Sequence, residues 1–185
     1  MSLTPSNMIA LGTKAPDFDL PDAVSGKLVS LSAIKSDVAT VIMFISNHCP
    51  YVKHINQQVV QLANEYIAKG VSFVAINSND IVAEPDDSPD QMKKVAELSK
   101  YPFPYLFDET QEVAKAYDAA CTPDFYIFDG SLKLVYRGQL DDSRPSNNIP
   151  SSGNDIREAL NALLAGKVVS PRQRPSIGCN IKWKA

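Results

Sequence analysis

A single cysteine lies at the junction of a predicted strand and a predicted helix. Cys49 follows the apolar run 40–45, and Pro50 begins an amphipathic segment at once. Proline suits the first position of a helix because no N–H donor is needed there. Cys49 is therefore predicted at the N-cap, where the helix dipole and unpaired N–H groups stabilise a thiolate. Since thiolates are the nucleophilic form of cysteine, we expect Cys49 to point outward and to be reactive.

Polar residues beside this cysteine are candidates for shaping the site. His48 could stabilise the thiolate by its charge or shuttle a proton, or its side chain could point away, as those of adjacent residues usually do. Asn47 could hydrogen-bond the active loop or serve only as a turn former. His54 is predicted on the surface, because it lies roughly 500° around the helix from Cys49. The spacing matches no familiar ligand pattern, so we expect neither a metal nor another cofactor.

The composition limits the classes of partner. The chain has 185 residues, of which 44% are hydrophobic, enough for one domain spanning residues 1–185. A net charge of −3 without a dense basic run argues against nucleic acid and anionic membranes, and no apolar stretch is long enough to span a bilayer. Three cysteines do not make a disulfide scaffold, so we expect a reducing, cytoplasmic location.

The hydrophobic pattern predicts strands and helices on both sides of Cys49 in the chain. The predicted elements are a hairpin (18–31), a strand (40–46), a helix (50–69), a strand (71–76), two helices (88–99 and 110–117), a second hairpin (125–128 with 134–137) and a helix (155–165). This order requires parallel pairing early and antiparallel pairing late. It predicts an α/β fold with a central mixed sheet, helices on both faces and an N-terminal β-hairpin extension. Residues 1–9 are predicted to be flexible.

The C-terminal tail, residues 168–185, carries another cysteine. Its pattern is irregular, but Ile177, Ile181 and Trp183 would be costly to leave exposed, so we expect the tail to dock on the domain. Docking near Cys49 would make Cys179 a candidate resolving thiol. Docking elsewhere would leave Cys179 a structural residue.

Four segments resemble one known superfamily. Residues 45–50 (ISNHCP), 122–129 (TPDFYIFD) and 178–184 (GCNIKWK) are similar to thioredoxin-like proteins of the peroxiredoxin-like branch, here with an Asn-x-Cys-Pro motif. Residues 12–18 (GTKAPDF) resemble the opening of the alkyl hydroperoxide reductase and thiol-specific antioxidant (AhpC/TSA) superfamily. The resemblance covers nearly the whole chain and implies a thioredoxin-like fold.

The same resemblance implies roles for residues far from Cys49 in the chain. Pro123 would be the cis-proline whose loop lies against the active cysteine. Thr122 would then offer its backbone to an incoming extended peptide. Cys121, just before this loop, is the first candidate for the resolving thiol. The structural alternative is a small buried thiol.

The chain departs from its relatives in two ways. Val52 stands where thioredoxins carry the second cysteine of Cys-x-x-Cys, so an intramolecular disulfide must use Cys121 or Cys179. Ile42 stands where peroxide-reducing relatives carry the proline of their Pro-x-x-x-Thr/Ser-x-x-Cys signature, and the arginine that they place near the cysteine is not matched. Ser46 does supply the hydroxyl. These departures weaken the case for efficient peroxide reduction.

Together these features predict a thiol–disulfide oxidoreductase. Cys49 would attack a disulfide of a protein or small molecule, and Cys121 or an external thiol reductant would resolve the mixed disulfide. The first alternative is a thiol-dependent peroxidase, in which Cys49 attacks a peroxide and becomes a sulfenic acid. The second is a redox-inactive module that binds peptides at the cis-proline loop, with Cys49 merely packed.

Overall fold

A computed structural model describes residues 3–185. Its strands are β1 (Leu3–Pro5), β2 (Asp19–Pro21), β3 (Leu28–Ser30), β4 (Ala39–Phe44), β5 (Ser72–Asn77), β6 (Tyr105–Phe107), β7 (Cys121–Thr122), β8 (Asp124–Asp129), β9 (Leu134–Gly138) and β10 (Ile177–Asn180). Its α-helices are α1 (Leu31–Ile34), α2 (Pro50–Ile67), α3 (Pro89–Ser99), α4 (Glu112–Ala116) and α5 (Asn154–Leu164). Within residues 3–185, no helix combines the length and apolarity needed to cross a bilayer.

Five strands form the central sheet, in the order β6-β5-β4-β8-β9. β4, β5 and β6 pair in parallel, whereas β8 and β9 are antiparallel to their neighbours. Every residue of β4 is buried, which agrees with a continuous apolar strand covered on both faces. The predicted mixed sheet is therefore confirmed, with the strand that leads to Cys49 at its centre.

Helices cover both faces of this sheet, as predicted. Alternate residues of β4 belong to two separate cores, because successive side chains of a strand point to opposite faces. Val41 and Met43 pack in the core that includes α2, α3 and α5. Ile42 and Phe44 pack in the core that includes residues of α1 and α4. The predicted N-terminal hairpin is also present, as the antiparallel pair β2-β3.

A second sheet, in the order β1-β10-β7, joins segments from both ends of the chain. Leu3 pairs with Cys179, and Cys179 pairs in turn with Thr122. The sequence predicts none of these strands, and it predicts flexibility for 1–9 and irregular structure for the tail. The predictions for residues 3–5 and 177–180 are wrong, because strands of two to four residues carry no readable periodicity.

Candidate active site

Cys49 is the N-cap of α2, as its sequence context predicts. Its backbone is extended, and Pro50 takes the first helical position. Cys49 is however 0% exposed, and its thiol donates a hydrogen bond to the Thr122 carbonyl at 3.3 Å. The expectation of an outward-pointing thiol is wrong, because β10 packs against α2 and places Cys179 beside this sulfur.

The loop that contains the cis-proline closes over Cys49. The Thr122–Pro123 peptide bond is cis, and it connects β7 of the small sheet to β8 of the central sheet. A hydrogen bond of 3.1 Å joins the hydroxyls of Ser46 and Thr122, which ties this loop to the segment before Cys49. We expected the backbone of Thr122 to be open to a substrate. This expectation is wrong, because Thr122 pairs with Cys179.

Cys179 lies beside Cys49, and their side chains are hydrogen-bonded. Burial and this hydrogen bond raise the pKa of Cys179 to about 12, although the Lys182 charge and a bond from the Tyr51 backbone N–H act in the opposite direction. A raised pKa favours the thiol form, so the S–H of Cys179 is the donor and the sulfur of Cys49 is the acceptor. The tail thus brings a protonated thiol to the candidate nucleophile.

Cys121 is also near, but its contacts differ. It is buried in β7, and its sulfur lies 3.8 Å from the Pro123 carbonyl oxygen. Burial, followed by the nearby carboxylate of Asp124, raises the pKa of Cys121 well above its ordinary value. The charge of Cys49 is among the smaller causes of this raised pKa, and the thiol of Cys121 faces the Pro123 carbonyl. The structure therefore places both Cys121 and Cys179 near Cys49, and Cys179 is hydrogen-bonded to it.

A buried carboxylate that sequence reasoning missed fixes the segment before Cys49. Asp87 accepts hydrogen bonds from the Asn47 backbone N–H and His48 Nδ1, both at 2.6 Å, and from the amides of Asn77 and Asn79 at 3.0 and 2.8 Å. Burial acts to raise the pKa of Asp87, but these bonds outweigh it and lower the pKa. An ionised carboxylate thus sits at the centre of four donors. The signal in the sequence that could have indicated this buried carboxylate was the pair of asparagines, Asn77 and Asn79, at the end of a buried strand.

The imidazole of His48 is held between two carboxylates. Nδ1 donates to Asp87, and Nε2 lies 3.7 Å from a carboxylate oxygen of Glu84. Nε2 is buried and has no hydrogen-bond partner within residues 3–185. The ring is therefore oriented by residues 84–87. His54 is exposed, as predicted, and its Nε2 lies 2.7 Å from the Ser143 hydroxyl.

A protonatable carboxyl group lies beneath the cis-proline loop. Asp124 is 0% exposed and accepts hydrogen bonds from Ser6 at 2.7 Å and Tyr126 at 3.0 Å. Burial dominates over these bonds and raises the pKa of Asp124 to about 7. In the described part of the chain, no cluster of His, Cys, Asp and Glu side chains is arranged to hold a metal ion.

Comparisons with known proteins agree with this geometry. An uncharacterized conserved protein from Geobacillus kaustophilus is 66% identical over 100% of this chain and 97% of its own, with a TM-score of 0.98. A hypothetical protein from Sinorhizobium meliloti is 49% identical over 98% and 99% of the two chains, with a TM-score of 0.96. The thioredoxin domain of a thiol-disulfide oxidoreductase from Bacteroides vulgatus shares the fold, at 20% identity over 83% of this chain and 99% of its own, with a TM-score of 0.62.

No protein with curated annotation matches the sequence. The model of the AhpC/TSA family matches residues 11–137, more than half of the chain. This match includes Cys49, Cys121 and the cis-proline loop, whereas β10 and Cys179 lie beyond it. The chain belongs to the AhpC/TSA family.

Proposed function

We propose that this protein is a thiol–disulfide oxidoreductase in which Cys49 is the nucleophile and Cys179 is the resolving thiol. The observation that carries the proposal is the side-chain hydrogen bond between these two cysteines. An intramolecular thiol already in contact reacts at a high effective concentration. Family membership supports redox chemistry of this general kind.

The proposed reaction has two steps and a return. Cys49 first loses its proton to solvent, and the resulting thiolate attacks one sulfur of a disulfide RSSR, forming a Cys49–S–S–R bond and releasing RS⁻. Cys179 then gives its proton to the released RS⁻ and attacks the Cys49 sulfur, forming the Cys49–Cys179 disulfide and releasing the second RS⁻. Two external thiols reduce this disulfide, and a cytoplasmic, reducing compartment would supply them. The substrate disulfide is thereby reduced and the external thiols are oxidised.

Residues around the two sulfurs hold the nucleophile in place. Pro50 starts the helix whose N-terminus lies at Cys49, and Asn47 and His48 anchor the preceding loop to buried Asp87. Thr122 accepts the Cys49 hydrogen bond through its carbonyl. We assign these residues positioning roles, and we assign Cys121 a structural one.

Peroxide reduction is the second candidate, favoured by the burial of Cys49. A site with 0% exposure is more readily entered by a small electrophile such as hydrogen peroxide. Attack on a peroxide ROOH would give the Cys49 sulfenic acid and ROH, and condensation with Cys179 would release water and form the same disulfide. The two candidates differ in the electrophile and share the pair of sulfurs.

Counting thiols over time separates these reactions. The reduced protein is mixed with stoichiometric cystamine or, separately, with hydrogen peroxide. With cystamine each protein thiol lost is replaced by a released cysteamine thiol, so the protein thiols are counted after small molecules are removed. We expect rapid loss of two of the three protein thiols with cystamine and slower loss with peroxide, because the chain lacks the signature of peroxide-reducing relatives. Faster loss with peroxide would favour the peroxidase, and inertness to both reagents would leave the redox-inactive module.

The matched control for this experiment is Cys121→Ser. This variant removes a buried thiol that makes no hydrogen bond to Cys49, and it should still lose two thiols with cystamine. Loss of one thiol only, with a mixed disulfide remaining on Cys49, would show that Cys121 resolves the intermediate.

A further inference from the structure

The strand β10 lies where an extended peptide would pair with the backbone beside the cis-proline. Asn180 pairs with Cys121 and Cys179 with Thr122, both antiparallel. Proteins commonly bind peptides by adding such a strand to an open edge. Here the edge of β7 is already occupied, and the occupying strand presents a cysteine to Cys49, as a bound substrate strand would.

Gly178 shows how closely β10 fits this edge. A Cβ atom at this position would lie 1.9 Å from the Thr122 carbonyl oxygen and 3.1 Å from Pro123 Cδ. Only a residue without a side chain fits at that distance. The absence of a side chain at Gly178 lets the next residue, Cys179, approach Cys49.

The segment that follows β10 is fastened by buried polar side chains. The Gln111 amide donates to the Lys182 carbonyl at 2.7 Å and its oxygen accepts from the Lys184 backbone N–H at 2.8 Å. Asn79 accepts from the Lys182 backbone N–H at 2.8 Å and also donates to Asp87. The tail is therefore held by the same network that fixes the loop before Cys49.

We propose that docked β10 restricts Cys49 to small-molecule electrophiles and excludes disulfides carried by peptides or proteins. This inference rests on the proposed function and names the substrate class of the same site. A peptide disulfide needs the backbone edge of Thr122 or several ångströms of space around the sulfur, and β10 takes both. A small disulfide needs only a brief local opening, which costs less free energy than release of the whole strand.

The test compares two disulfides of different size on the reduced protein. Cystamine and a disulfide-linked pair of short peptides are added separately. The rate at which the protein's own thiols are lost is measured by quenching samples, removing the released small thiols and counting the thiols that remain on the protein. Because the peptide must first displace β10, we expect cystamine to react faster by a factor of about ten or more. Equal rates would overturn the restriction but leave the proposed function intact. Inertness to cystamine would overturn the proposed function itself.

A variant that weakens the hydrogen bonds of the tail tests whether docked β10 causes the slower reaction of the peptide disulfide. Gln111→Asn shortens the side chain that holds Lys182 and Lys184, and asparagine suits the positive φ of 63° at this position. We expect the peptide reaction to become several-fold faster, with little change for cystamine.

Gln173→Asn is the matched control. Gln173 tethers the earlier part of the tail by donating to the Val135 carbonyl at 2.8 Å, and its side-chain hydrogen bonds all go to residues outside β10. Neither rate should change in this variant. An unchanged peptide rate in Gln111→Asn would overturn the role of the fastened tail, and the wild-type comparison decides the substrate class even if a variant fails to fold.

Discussion

Replacement of Cys179 by serine is expected to stop the reaction at a mixed disulfide on Cys49. Serine keeps a hydroxyl that can donate to the Cys49 sulfur, but it cannot attack a disulfide. After addition of cystamine, the intact mass should increase by one cysteamine group, and one thiol should be lost instead of two. Turnover with an external thiol should fall by about a hundredfold or more, because the lost thiol acted at a high effective concentration.

The result depends on which sulfur lies against Cys49, so Cys121→Ser is again the control. That variant should form its intrachain disulfide and turn over nearly as fast as the wild type. If Cys179→Ser instead forms an intrachain disulfide and keeps its turnover, Cys179 has no resolving role. A Cys49→Ser variant should take up no cysteamine at all, which checks that the mass increase belongs to Cys49.

Replacement of Asp124 by asparagine is expected to change how stability depends on pH. The pKa of Asp124 is about 7 in the folded protein, against its ordinary value of 3.8. Between these two pH values Asp124 is protonated in the folded protein and ionised in the unfolded chain. The contribution of Asp124 to the free energy of unfolding is therefore fully present below pH 3.8. It is lost as the pH rises through about 7, a change on the order of 4 kcal/mol at about 1.4 kcal/mol per pH unit.

Urea unfolding of the wild type and Asp124→Asn measures this effect. Asparagine cannot ionise, but its amide can still bond Ser6 and Tyr126, so the variant should lack this pH dependence. Between about pH 5 and pH 8, the difference in free energy of unfolding should shift in favour of the variant by about 3 kcal/mol. If the free energy of unfolding instead changes with pH in the same way in the two proteins, Asp124 is ionised throughout this range or titrates equally in the folded and unfolded states.

The parts of the fold that the sequence predicted correctly are those with long local patterns. α2 carries apolar residues at helical spacing, and Pro50 marks its start, so its position and that of Cys49 could be predicted. β4 and β5 are continuous apolar runs, which indicated the central sheet.

The small sheet could not be predicted, because its three strands are short and come from distant parts of the chain. β10 is held by pairing with β1 and β7 and by contacts of the following segment, such as that of Gln111 with Lys182. None of these contacts leaves a periodic pattern in the sequence. For the same reason, the sequence could not show that the tail brings Cys179 beside Cys49.

Burial of the site also escaped sequence analysis. A helix N-terminus indicates where a thiolate is stabilised, but it says nothing about a distant segment that covers the thiol. The carboxylate of Asp87 was missed because its donors, among them His48 and Asn79, meet only in the folded chain.

Peptide mapping of the oxidised protein tests the central claim most directly. The reduced wild type is treated with one equivalent of cystamine, unreacted thiols are blocked by alkylation, and the disulfide-linked peptides are identified by mass spectrometry. We predict a disulfide between Cys49 and Cys179, with Cys121 recovered in alkylated form. A disulfide between Cys49 and Cys121, or recovery of Cys49 as an unmodified thiol, would contradict the account.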